Sequence, residues 1–183
     1  MPLMATTRWP MLVSVSSPSR IRAATPRDAA EIGAIYDEAI ASGVATFAAG
    51  PHDAEERTRW LEARSHRAPV WVLDDADGVV GWSALAPFSH REWYDGVAEY
   101  TVYVAARAHG RGLGGQMLDA LIREAPGLGY WKLVGMILED NAGGMALAAS
   151  RGFREVGTHH AHGHVNGEWR DVTVMELHLE QAR

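Results

Sequence analysis

The sequence contains no cysteine. That excludes disulfides, thiolate metal sites and an acyl-cysteine intermediate, and it suits a reducing compartment. It also has no basic block: Asp and Glu outnumber Lys and Arg by 23 to 17, the net charge is −6, and the two signs are interspersed. A nucleic-acid groove or an anionic membrane surface is therefore not indicated. No apolar run approaches the roughly 20 residues of a membrane span. The longest near the start, Met11-Leu12-Val13, is too short for a signal-peptide core. A cytoplasmic protein is expected. Internal repeats are missing, and so are low-complexity tracts after residue 20.

What is present reads as one domain over residues 21–183, long enough to bury roughly two thirds of its unfolded surface in one core. Met1 to Arg20 has no sustained period and is rich in Ser, Thr and Pro. It is expected to be a loosely ordered extension, with a transit peptide as the weaker alternative. A short strand over Ile21–Thr25 leads into a helix capped at Thr25, with Pro26 at its first position and Asp28 three residues after the cap. A second helix is expected from Asp53, carrying Trp60, Leu61 and Arg64. Val70–Ala86 reads as a hairpin around Asp-Ala-Asp-Gly, and Val97–Ala105 as a long third strand. Lys132–Leu138 is a buried strand and Asn141–Arg151 a short helix. A closing antiparallel pair is expected to turn around His162–Gly167.

Chemistry concentrates in the stretch Ala98–Ile122, where Glu99 heads a β-branched strand that runs into Gly110-Arg111-Gly112-Leu113-Gly114-Gly115. The apolar stripe Leu113, Met117, Leu118, Leu121, Ile122 and Ala125 then marks a helix. A strand entering a glycine turn and leaving as a helix creates free main-chain N–H groups that suit an anion such as a diphosphate. A tight turn with close helix packing is the plainer alternative. The same residues satisfy G-x-G-x-x-G, but two helices and an antiparallel hairpin precede them. A dinucleotide fold wants parallel βαβ units with the fingerprint in the first.

These residues resemble the GNAT acetyltransferase superfamily. Val102-Tyr103-Val104 through His109-Gly110-Arg111-Gly112-Leu113-Gly114 is similar to its pyrophosphate loop. Val44-Ala45-Thr46-Phe47, Gly81-Trp82, Pro87-Phe88, Glu99-Tyr100-Thr101, Gly152-Phe153 and Gly167–Asp171 follow the order and spacing of the phosphinothricin and methionine sulfoximine acetyltransferase branch. The resemblance covers roughly residues 21–178. It implies an α/β fold with a mixed, largely antiparallel sheet splayed in the middle and flanked by helices. It implies acetyl-CoA as cosubstrate, no metal, a small-molecule amine as acceptor and a homodimer.

By the same resemblance, Val102, Tyr103, Val104, Gly110, Arg111, Gly112, Leu113, Gly114, Gly115 and Asn141 hold acetyl-CoA. Ser89, His90, Arg91, Tyr94, Glu99, Tyr100 and Thr101 meet the acceptor. Glu99 is expected to deprotonate the amine, directly or through water, for direct transfer in a ternary complex. Without the family pattern it would read as a solvated glutamate at a strand end. Arg91 suits an α-carboxylate, with a surface arginine as the competing view. Phe47, Trp82 and Phe88 are candidates for the pocket wall or for core.

The sequence departs from this branch at His109, which stands where Gln or Arg opens the loop, at Gly144, and at Ala148, where the branch carries a His. With no acid at 148 the leaving thiolate is expected to take its proton from water or from the amine. His159, His160, His162 and His164 share a hairpin without a partner acid in the pattern, so a polar hairpin near the acceptor mouth or a dimer seam is expected rather than a metal site. Two other functions remain open: acetylation of a protein N-terminus or polyamine, and CoA binding without turnover.

Overall fold

A computed structural model of the chain describes residues 19–51 and 53–179, so the expectation for Met1–Arg20 lies almost entirely outside the described residues. Alternating apolar runs form seven strands: β1 (Arg20–Ala23), β2 (Val70–Asp75), β3 (Gly78–Pro87), β4 (Val97–Val104), β5 (Lys132–Leu138), β6 (Arg154–Val165) and β7 (Glu168–His178). They build one sheet in the order β1-β2-β3-β4-β5-β7-β6. Every neighbour pairs antiparallel except β4 and β5, which are parallel. A parallel neighbour needs a crossover, and α3 (Leu113–Glu124) supplies it. The mixed, largely antiparallel sheet expected from the sequence is the one observed.

Helices cover both faces. α1 (Ala29–Ser42) and α2 (Ala54–Glu62) lie on one, where Ile32, Ile35, Val72 and Trp82 are buried together. α3 and α4 (Ala142–Ala149) lie on the other, over Leu85, Leu118, Leu121, Leu133 and Phe153. Burial of each such side chain contributes roughly 1.5–3 kcal/mol. The start of α1 follows its sequence signal: Asp28 accepts from Thr25 N and Oγ1 at 2.7 and 2.9 Å, and α1 ends at Gly43 with φ 71°. Asp53 caps α2 by accepting from Glu55 N.

The sheet is not continuous. β3 and β4 pair from Gly81↔Val104 to Pro87↔Ala98, and β5 and β7 pair along all of β5. β4 and β5 pair only at Val97↔Lys132, Ala98↔Leu133 and Glu99↔Val134. Past Glu99 the two central strands diverge. This is the splay expected from the family resemblance, and it leaves main-chain groups of β4 and β5 without strand partners.

The closing hairpin differs from expectation. β6 runs on to Val165, and the turn is only Asn166-Gly167, both left-handed with φ 52° and 85°. Two residues with positive φ match the right-handed strand twist of a type I′ hairpin. Inside β6 the register shifts between His159 and Gly163, and Ala161 has φ 49°. That bulge breaks the alternation that would have put His160, His162 and His164 on one face.

Candidate active site

The divergence of β4 and β5 opens a cavity of about 710 Å³. Glu99, at the last paired position, lines it together with Tyr100, Thr101, Val102 and Tyr103. Strand alternation sends Glu99, Thr101 and Tyr103 to the α1–α2 face, and Tyr100, Val102 and Val104 to the α3–α4 face. The contacts agree: Tyr103 meets Tyr36 and Trp82 with ring centroids 5.1 and 4.9 Å away, while Val102 and Val104 pack with Leu113 and Met117. Burial raises the pKa of the Glu99 carboxyl, with desolvation as its cause. A raised carboxyl pKa in a cavity suits a group that exchanges a proton.

The loop after α1 closes over this wall. Tyr36 Oη and Thr46 Oγ1 lie 2.9 Å apart, Tyr103 Oη donates to Ala45 O at 3.2 Å, and Arg170 Nη1 donates to Gly43 O. Gly163, in the β6 bulge, sits on the Phe47 ring; a Cβ there would lie 2.3 Å from it. Phe47 and Trp82 therefore line the cavity, as the sequence allowed, but Phe88 does not.

Two arginines on this wall were not singled out from the sequence as binding groups. Arg64 donates its Nε to Ala68 O at 2.6 Å and a terminal nitrogen to Leu85 O, so the main chain already takes its hydrogen bonds. Arg57 is different. It is 7% exposed, sits 4.9 Å from the ring centroids of both Tyr36 and Trp60, and forms no hydrogen bond or ion pair among the described residues. Trp82 Nε1, on the same wall, is also buried without an acceptor. The i, i+3 spacing of Arg57 and Trp60 was the available signal.

Ser89, His90, Arg91 and Tyr94 lie in the loop between β3 and β4, and none lines the cavity. Arg91 sits 6.0 Å over the exposed Trp93 ring, and Ser89 Oγ accepts from Arg91 N. The reason is topological. The split widens toward Val104 and Leu138, whereas this loop leaves from the opposite, paired end, with Phe88 N bonded to Val97 O.

Beyond Val104, Gly110 and Gly112 adopt φ 75° and 74°, with open space where a Cβ would stand. α3 starts at Leu113, and its first main-chain bond runs from Gln116 N to Gly112 O, which leaves the N–H groups of Leu113, Gly114 and Gly115 facing outward for an anion. Arg111 is held by Asp75 at 2.9 Å, and His109 Nε2 donates to Val104 O at 2.9 Å. The Arg151 guanidinium lies over Gly115, where a Cβ would stand 2.0 Å from it. Asn141 caps α4 by accepting from Gly144 N at 2.8 Å, and both residues line the cavity. A Cβ at Gly144 would stand 2.9 Å from the Asn141 side chain, so the capping amide lies close against this glycine.

The histidines disperse. His159 and His162 stack at 4.5 Å, His164 packs on Trp169, and His160 Nδ1 lies 2.7 Å from Asp171 Oδ2, an acidic partner the sequence pattern did not disclose. Only His162 of the four lines the cavity. Among the described residues no three His, Asp or Glu side chains converge to hold a metal ion.

Comparison with known proteins gives the same direction. The acetyltransferase (GNAT) domain family matches residues 21–174. A relative from Pseudomonas paraeruginosa, named L-methionine sulfoximine/L-methionine sulfone acetyltransferase, is 34% identical over 165 residues, covering 89% of this chain and 96% of its own. A solved phosphinothricin acetyltransferase from Sinorhizobium meliloti, in complex with acetyl-CoA, is 28% identical with a TM-score of 0.81 over 88% of each chain. A ribosomal-protein-alanine N-acetyltransferase from Brucella melitensis is 36% identical with a TM-score of 0.83, over 87% of this chain and 99% of its own. The fold is thus shared with acetyltransferase relatives along most of the chain, and the protein belongs to the GNAT acetyltransferase family.

Proposed function

We propose that the protein transfers the acetyl group of acetyl-CoA to the α-amine of a small amino-acid-like acceptor of the methionine sulfoximine or phosphinothricin kind. The observation that carries this reading is Arg57 on the cavity wall, 7% exposed, its Nε buried without a hydrogen bond and its guanidinium without a carboxylate partner among the described residues. An arginine removed from water without a counter-ion is costly, and a carboxylate entering the cavity supplies one. Trp82 Nε1 offers a further donor to acceptor oxygens.

Acetyl-CoA fits the other half of the site. The free N–H groups at the start of α3 suit its diphosphate, the unpaired edge of β4 from Thr101 to Val104 suits the amides of its pantetheine arm, and the split beside Glu99 receives the thioester. Main-chain N–H groups near Tyr103 then polarise the thioester carbonyl. Glu99 takes a proton from the acceptor ammonium, directly or through water, so that a neutral amine attacks. With no cysteine in the chain, direct transfer is the simplest course.

Gly112 gives a test of the diphosphate site. A valine there is strained at φ 74° and puts a side chain into the space where the anion approaches. Gly112→Val is expected to weaken acetyl-CoA binding at least tenfold in calorimetry, at roughly 1.4 kcal/mol per decade. His109→Ala is expected to have the smaller effect. Equal effects would contradict main-chain recognition by this loop.

Similarity to the Brucella melitensis enzyme favours a second reading, acetylation of a peptide N-terminus. Thiol release from acetyl-CoA, measured against methionine sulfoximine, its decarboxylated amine and an alanine-led peptide, separates the two. The amino-acid reading expects the first to be preferred. Preference for the peptide would replace it.

A further inference from the structure

When the acyl group leaves, the sulfur of CoA departs as a thiolate and needs a proton. α4 has none to give. Ala148 is fully buried, and Ser150 lies exposed at the helix end with its hydroxyl donated to Leu147 O at 2.7 Å. β4 does carry a proton donor. Tyr100 lines the cavity on the strand face opposite Glu99, one residue further on.

Its ring reaches across the split onto β5. A Cβ at Gly135 would stand 2.8 Å from both Tyr100 Cε1 and Oη, so the ring occupies space that exists only because residue 135 has no side chain. Phe153 supports it from the α4 side with ring centroids 5.0 Å apart. The surrounding cluster includes Leu85, Ala148, Phe153 and Met175. Its only other ionisable member, Tyr130, is engaged with Arg67 O. The Tyr100 hydroxyl makes no hydrogen bond among the described residues and stays open to the cavity.

From this geometry, and resting on the acetyl-transfer reading, we infer that Tyr100 is the catalytic acid that protonates the departing CoA sulfur. The neutral amine bonds to the thioester carbonyl carbon, the carbon–sulfur bond breaks, and its electron pair stays on sulfur. The phenolic proton moves to that sulfur and completes the thiol. Two protons leave the ammonium nitrogen through Glu99: one replaces, through water, the proton that the Tyr100 hydroxyl gives to sulfur, and the other is released, one per turnover. Tyr100 and Glu99 work on opposite faces of one strand, which keeps acid and base from neutralising each other. Burial raises the Tyr100 pKa above that of an ordinary phenol, which keeps the hydroxyl protonated at neutral pH and disfavours a free phenolate, so the proton it gives to sulfur is replaced in the same step. No charged side chain contributes to that shift; β3, β5 and α4 present Leu85, Gly135, Leu147 and Ala148.

The test uses Tyr100→Phe, which removes one oxygen, and Tyr100→His, which restores an acid with a different pKa. For Tyr100→Phe, kcat is expected to fall on the order of 10²-fold with the acetyl-CoA dissociation constant unchanged. Tyr100→His is expected to recover part of the rate and to acquire a decline in kcat as pH rises through the imidazole range near ~6.5, a limb the wild type lacks. Wild-type kcat in Tyr100→Phe would overturn the assignment. So would parallel loss of kcat and CoA affinity with no new limb in Tyr100→His, since that is what a packing role produces. Absence of amine-dependent thiol release in the wild type would instead remove the acetyl-transfer reading beneath it.

Discussion

Glu99→Gln is expected to lower kcat on the order of 10²–10⁴-fold while acetyl-CoA still binds. The amide keeps the shape of the side chain at the last β4–β5 pair, so the split and the CoA groove are preserved, and only the base is lost. The pH dependence follows from burial. Because desolvation raises the Glu99 pKa, the acid limb of kcat/KM in the wild type lies above the ordinary carboxylate range. Activity falls as pH drops through that raised value, because a protonated carboxyl accepts no proton. Stability runs the other way. A group that binds its proton more tightly when folded stabilises the protein below its unfolded pKa, and that contribution is lost as pH rises through the folded pKa. Glu99→Gln is therefore expected to melt above wild type at neutral pH, with the gain vanishing in acid. Wild-type turnover across pH in the variant would refute the base assignment.

Arg57→Met is expected to abolish most of the preference for methionine sulfoximine over its decarboxylated amine. A charge-assisted bond contributes about 1.5–3 kcal/mol, or roughly 10–100-fold in kcat/KM. Methionine retains an apolar stem between Tyr36 and Trp60, so the wall keeps its packing while the charge is gone. Arg91→Ala serves as the comparison. The sequence pointed to Arg91 for this role, but its side chain stands outside the cavity over Trp93, so its loss is expected to leave discrimination intact. If Arg57→Met keeps the preference and Arg91→Ala loses it, the carboxylate is read from the β3–β4 loop instead.

The contrast between these arginines shows what a sequence of this kind discloses. The place of Glu99 at the head of β4 follows from the strand period and the glycine-led helix after it, whereas the role of base comes from the family resemblance, since alone it reads as a solvated glutamate at a strand end. The split was anticipated through the resemblance alone, since nothing in the periodicity of Val97–Val104 tells how far its pairing with β5 runs. Arg57 lies in a nine-residue helix rich in charge and reads there as a solvated residue. Its burial arises only when Tyr36 of α1, Trp60 of α2 and Trp82 of β3 converge from three distant segments. The turn is narrower than the expected His162–Gly167 for a local reason: Asn166-Gly167, both with positive φ, turn the chain alone, and the bulge at His159–Gly163 has no sequence mark beyond that glycine.

In the sequence Tyr100 reads as an acceptor contact, and its position across Gly135 depends on a long-range pairing of β4 with β5. The emptiness at Ala148 was visible in the chain, but what stands beside it was not.

The most direct test of the whole account is a stoichiometry: free thiol released from acetyl-CoA, counted against N-acetyl product formed from methionine sulfoximine by the wild-type protein. The account expects one thiol per N-acetylated amine and no thiol release when the amine is withheld. Thiol release independent of the amine, or none with any amine although acetyl-CoA binds, would contradict it.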